Sequence, residues 1–127
     1  QGLEQAPDDA DLLHALGLLE IRAKHLPAAV ELLGRAAQQA PDQSRYAYVH
    51  ALAQDAAGDP RAAIATLTAA IDRHPNDADI ALALVSLNAK AGDRDATIAW
   101  AERYLARFPD PSGQVTALLV QLRGGVE

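Results

Sequence analysis

The sequence contains no cysteine and no methionine, and only five of its 127 residues are aromatic. Without cysteine this chain has no disulfide framework, no thiol nucleophile, no thiolate zinc site and no covalent haem attachment. No apolar run approaches the roughly 20 residues that a membrane-spanning helix needs, and no segment reads as a secretory signal. Lys and Arg total 11 against 17 Asp and Glu, a net charge of −6. The basic residues are scattered, whereas phosphate backbones are held by clustered Lys and Arg, so nucleic acid is not an expected partner.

The residues of catalysis are also sparse. No glycine-rich phosphate loop is present; the glycines fall at expected helix ends or tight contacts. The four histidines, at 14, 25, 50 and 74, lack the spacing that puts two metal ligands on one helix face. Of the three serines, Ser44, Ser86 and Ser112, none lies in a nucleophile elbow. Asp8-Asp9 and the Asp77/Asp79 pair stand where helices are expected to start, and there a carboxylate caps backbone N–H groups and complements the helix dipole. Neither enzymatic activity, metal nor cofactor is expected. His50 falls on the core seam and reads as a neutral interior histidine, with a ligand or pH-switch role as the alternative.

What the sequence does have is a period. Prolines stand at 7, 41, 75 and 109, each 34 residues from the next. Half the chain is apolar, much of it alanine, and Val, Ile and Thr never alternate as strands require. On this period fall three units, 10–43, 44–77 and 78–111, each with two amphipathic stretches. The first stretches are 9–23, 44–57 and 78–91, the second 27–39, 60–73 and 94–107, each roughly 20 Å of helix. A last stretch, 112–123, is expected to cap the stack. Gly58-Asp59-Pro60 supplies a helix stop, an N-cap and a first-turn proline in succession, and Gly92-Asp93 repeats the device. Asp42, Asp77 and Asp110 are placed to cap or charge the next helix start. Lys24-His25-Leu26-Pro27, lacking both glycine and a good cap, is the weakest turn.

Three sets of residues recur on the period. They are Leu13, Leu16-Gly17, Glu20, Ala29, Leu33, Ala36 and Pro41; Ala47, His50-Ala51, Gln54, Ala63, Leu67, Ala70 and Pro75; and Ala81, Leu84-Val85, Asn88, Thr97, Ala101, Tyr104 and Pro109. This pattern resembles the tetratricopeptide repeat over essentially the whole chain. The resemblance implies an all-α fold, a right-handed α-α superhelix of three helix pairs with a C-terminal capping helix. Val85 and Thr97 are bulkier than the pattern prefers. Trp100, Tyr104 and Phe108 gather most of the aromatics in the third unit, where they are expected to seal it against 112–123. Residues 1–9 read as the tail of a preceding repeat or a tag remnant, and the chain as a piece of a longer protein.

In this family the first helix of each unit lines a concave groove where partners lie. Carried over by period, the lining is Asp11, His14, Leu18, Ile21 and Arg22 from the first unit. The second gives Arg45, Tyr48, Leu52 and Asp55, and the third Asp79, Leu82, Ser86 and Lys90. Spacings of three and four put each set on one helix face. Five of them (Leu18, Ile21, Tyr48, Leu52 and Leu82) are apolar on a nominally solvated face, which suits a peptide or amphipathic helix. A scaffold that docks a protein or peptide partner is therefore expected, with a structural spacer or self-association module as the alternative. In the bland reading, the capping helix or neighbouring repeats cover these residues. The carboxylate-clamp subtype needs Lys, Arg or Asn at His14, Leu18, Val49, Asp79 and Ala83; none matches, so chaperone tails are not expected ligands.

A narrower resemblance rests on Arg45-Tyr46-Ala47-Tyr48-Val49-His50-Ala51-Leu52-Ala53 and His74-Pro75-Asn76-Asp77. This run is similar to tetratricopeptide segments that follow multihaem cytochrome domains in some bacterial proteins. It implies a periplasmic parent, against a bacterial cytoplasmic one otherwise, with no haem ligands in this part.

Overall fold

The computed structural model describes residues 9–124, which form seven α-helices and no strand: α1 Ala10–Arg22, α2 Leu26–Gln39, α3 Ser44–Ala56, α4 Pro60–Arg73, α5 Ala78–Ala91, α6 Arg94–Arg107 and α7 Gln114–Leu122. Consecutive helices pack antiparallel as the pairs α1–α2, α3–α4 and α5–α6, and the pairs stack into a right-handed superhelix that α7 closes. Of the segment 1–9, only Asp9 lies within the described residues.

Aspartate starts four of the helices. Asp9, Asp59, Asp77 and Asp93 each accept a hydrogen bond from the backbone N–H three residues on, at 3.0, 3.1, 3.1 and 3.0 Å. One donor that the helix leaves unpaired is satisfied each time. Asp42 does not cap α3; its carboxylate reaches Arg73 at 3.2 Å instead. Asp110 serves α7 from a distance, accepting from the Val115 and Thr116 amides at 3.3 and 2.9 Å and from the Thr116 hydroxyl at 2.8 Å. The Gly113 N–H bonds to the Asp110 carbonyl at 2.9 Å in the intervening turn, and α7 begins at Gln114 rather than at 112.

The turns inside the pairs share one geometry, set by positions 24, 58 and 92. Gly58 and Gly92 take left-handed backbone at φ 92° and 80°, and Lys24, their equivalent, does so at φ 63°. In each, the N–H of the following residue bonds back to a helix carbonyl: His25 to Glu20 at 2.8 Å, Asp59 to Gln54 at 2.9 Å and Asp93 to Asn88 at 3.1 Å. Lysine there carries the steric cost of a Cβ in that region, which glycine avoids.

Gly17 permits the first pair to close. A Cβ built on it would sit 2.6 Å from Leu33 Cγ and Cδ2, so α1 meets α2 at a distance only glycine allows. Leu13, Ala29, Leu33 and Ala36 are fully buried around it. Thr97, bulky for its position, is buried too, with its hydroxyl donating to the Asp93 carbonyl at 2.6 Å. The closing helix is sealed by Val85, Ala101, Val115 and Leu119 with Trp100 and Tyr104 against them. Phe108 is not part of that seal: it packs instead on the seam between the second and third units.

Candidate functional site

Of the thirteen expected groove residues, the structure brings seven together. Tyr48, Leu52 and Asp55 of α3 face Asp79, Leu82, Ser86 and Lys90 of α5 across a cleft of about 300 Å³. Lys90 Nζ lies 2.8 Å from Asp55 Oδ2 and ties the two helices at one end of the cleft. At the other end stands Asp79, an exposed carboxylate in the first turn of α5, where the helix dipole favours its charge. Leu52 and Leu82 are 43% and 40% exposed, so their burial is incomplete in the chain as it stands.

Tyr48 has a double role. It borders the cleft, yet its ring packs on both the Leu33–Val49 cluster and the Leu67–Leu84 cluster. The cleft also takes in Ala83 and Leu87 of α5. Leu87 is a core residue whose edge forms part of the cleft floor, and no sequence signal separates those two roles.

The first unit does not contribute to this cleft. Asp11 and His14 are engaged by Tyr46: the His14 and Tyr46 rings stack with centroids 4.3 Å apart and planes at 18°, and the Tyr46 hydroxyl donates to Asp11. Ile21 packs on the cluster of Ala29, Leu33, Val49 and Ala53. Leu18 stays exposed, as do Arg22 and Arg45, outside the cleft. Burial holds the His14 imidazole below its usual pKa, with Arg45 adding to the effect and Asp11 opposing it. Its Nδ1 is buried with no hydrogen-bond partner among the described residues. One period to either side of Tyr46 stand Leu12, half-buried, and Ile80, buried.

His50 lies on another face of α3. Its ring sits against Gly34, where a Cβ would come within 2.8 Å of Nε2. It is half-buried rather than interior, and burial pushes its pKa down. Among the described residues no group of three or more His, Cys, Asp or Glu is placed to hold a metal ion. None of the described helices is long and apolar enough to cross a membrane.

Residues 56–122 match the tetratricopeptide repeat family model, just over half of the chain. The chain belongs to the tetratricopeptide repeat family. Two solved structures of MamA share its fold, at TM-scores of 0.78 and 0.75 and 21% identity each. The alignments cover 96% of this chain and 72% and 68% of the MamA chains. Curated protein sequences give no match. Tetratricopeptide folds are interaction scaffolds and generally non-enzymatic, and protein partners follow for this member.

Proposed function

We propose that the chain docks a short helical peptide in the cleft between α3 and α5. The observation that carries this reading is the pairing of two half-exposed leucines, Leu52 and Leu82, with an exposed carboxylate, Asp79, on one concave wall. An amphipathic helix offering aliphatic side chains three or four residues apart would cover both leucines, and a Lys or Arg one turn away would meet Asp79. The chain's net charge of −6 favours a basic peptide over an acidic one. Such a segment could belong to another protein or to a neighbouring domain of the same one.

Selection from a displayed random-peptide library tests this. Sequences enriched on the wild-type chain, and lost on a Leu52→Glu/Leu82→Glu variant, should carry the aliphatic pair and a basic residue. Enrichment of no sequence, or enrichment that survives the double variant, would contradict it. Concentration-dependent light scattering that the same variant abolishes would favour self-association through this face instead.

A further inference from the structure

A second opening lies away from the groove, between the first and second units. It measures about 390 Å³ and is lined chiefly by α2 and α4, with Ala47 and His50 of α3 at its floor. The 34-residue period explains why it is there. At the next junction, between the second and third units, the equivalent space is full.

The comparison can be made position by position. Ala37, His50, Thr66, Ala70 and His74 line the opening. Thirty-four residues on stand Ile71, Leu84, Trp100, Tyr104 and Phe108, all members of one packed apolar cluster. Three rings occupy the second junction where the first offers a hydroxyl, a methyl and an imidazole. Packing stacked units at native density calls for side chains here, and the first junction does not supply them.

The rim is held open by fixed contacts. Arg73 pairs with Asp42 at 3.2 Å, and His74 Nε2 donates to the Pro41 carbonyl at 2.8 Å. Both tie the end of α4 to the turn after α2. Gly34 leaves His50 just enough room, since a Cβ there would strike its ring. Neither His50 nitrogen has a hydrogen-bond partner among the described residues, and both a donor and an acceptor remain for a guest.

We infer that this opening is a binding site for an aromatic ring bearing a polar handle, an indole or a phenol, with His50 as its hydrogen-bond partner. The ring takes the place that Trp100 and Tyr104 fill one period later. The space lies within the usual range of small-molecule sites, about 300–1,000 Å³. Apolar cavities of even ~150 Å³ bind single rings. The burial that lowers the His50 pKa keeps it neutral at pH 7, so it can accept from an indole N–H or a phenol O–H.

Indole and p-cresol are the probes, titrated into the ¹⁵N-labelled chain with the His50 ring resonances as readout. Saturable shifts at His50 and Ala70, with dissociation constants in the millimolar range or tighter, are expected. Thr66→Trp restores the ring found at the next junction and should weaken binding at least about tenfold. Ala37→Ile, a smaller filling change, should weaken it in the same direction if Thr66→Trp fails to fold. An N-acetyl-tryptophan amide arm separates sources: binding as tight as indole's points to a partner's side chain, and its exclusion to a free small molecule. Absence of saturable shifts with both probes, or binding undiminished in the folded filling variants, would overturn the inference. Neither result depends on the groove, because Leu52→Glu/Leu82→Glu leaves this opening intact.

Discussion

Lys90 of α5 reaches back 2.8 Å to Asp55 of α3, and this ion pair spans the cleft that the leucines line. Lys90 is largely exposed while Asp55 is mostly covered, so the pair is a surface contact of modest strength. Lys90→Gln is expected to cost no more than about 1 kcal/mol, an effect that shrinks at high salt. Thermal melts at low and high ionic strength check this. A larger, salt-independent loss would show that the pair holds the stack together rather than edging the groove.

Lys24 occupies a position that its equivalents Gly58 and Gly92 fill without strain. Lys24→Gly should therefore stabilise the chain. A non-glycine residue in that region costs roughly 1–2 kcal/mol, and glycine's greater freedom in the unfolded chain returns part of this. The net gain expected is about 0.5–1 kcal/mol, read from denaturant unfolding. The same replacement away from such a site, at Lys90 within α5, should destabilise.

Gly17 gives the opposite test. Alanine is the better helix former by about 1 kcal/mol, but a Cβ at 17 meets Leu33 at 2.6 Å. Overpacking at such a contact costs typically 1–3 kcal/mol, so Gly17→Ala is expected to lower the melting temperature despite the propensity gain. A rise would mean that α1 and α2 can move apart freely.

Much of this was legible in the sequence, for a physical reason. A 34-residue period forces each unit to bury the same positions, so Leu13, Leu33, Leu67 and Leu84 could be placed in the core from spacing alone. Helix limits followed from the Asp-capped starts of α1, α4, α5 and α6 and from the glycine turns, whereas α2 and α3 start without a side-chain cap and α7 is served by Asp110 across a loop. The groove was legible only in part. Period arithmetic assigns each residue a face, but not the neighbour that claims it. Tyr46 takes Asp11 and His14 out of reach, and Tyr48 is drawn into two cores. The opening beside His50 was hidden in the same way. It depends on Gly34, Thr66 and Ala70 being small together, which no single position reveals.

Two histidines make stability depend on pH. Burial lowers the folded-state pKa of both His14 and His50. Their contribution is therefore fully present above the unfolded-state value near 6.5 and is lost as pH falls through the folded values. His14 is faced by Arg45, Asp11 and the stacked Tyr46 ring; His50 lies against Gly34, with Arg73 and His74 lining the same opening. The melting temperature should drop between pH 7 and pH 5, and His50→Leu, which installs the residue found at 84, should flatten that drop. An unchanged slope would remove His50 from the account.

The central claim, that partners dock between α3 and α5, is tested most directly by titrating a selected basic, aliphatic-anchored peptide into the ¹⁵N-labelled chain and mapping the perturbed amides. Shifts should concentrate at Leu52, Asp55, Asp79, Leu82 and Ser86 and vanish in the Leu52→Glu/Leu82→Glu variant, whose own melting temperature stays within a few degrees of wild type. Shifts centred on α1, on α7 or on the second-helix face, with the cleft residues unmoved, would contradict it.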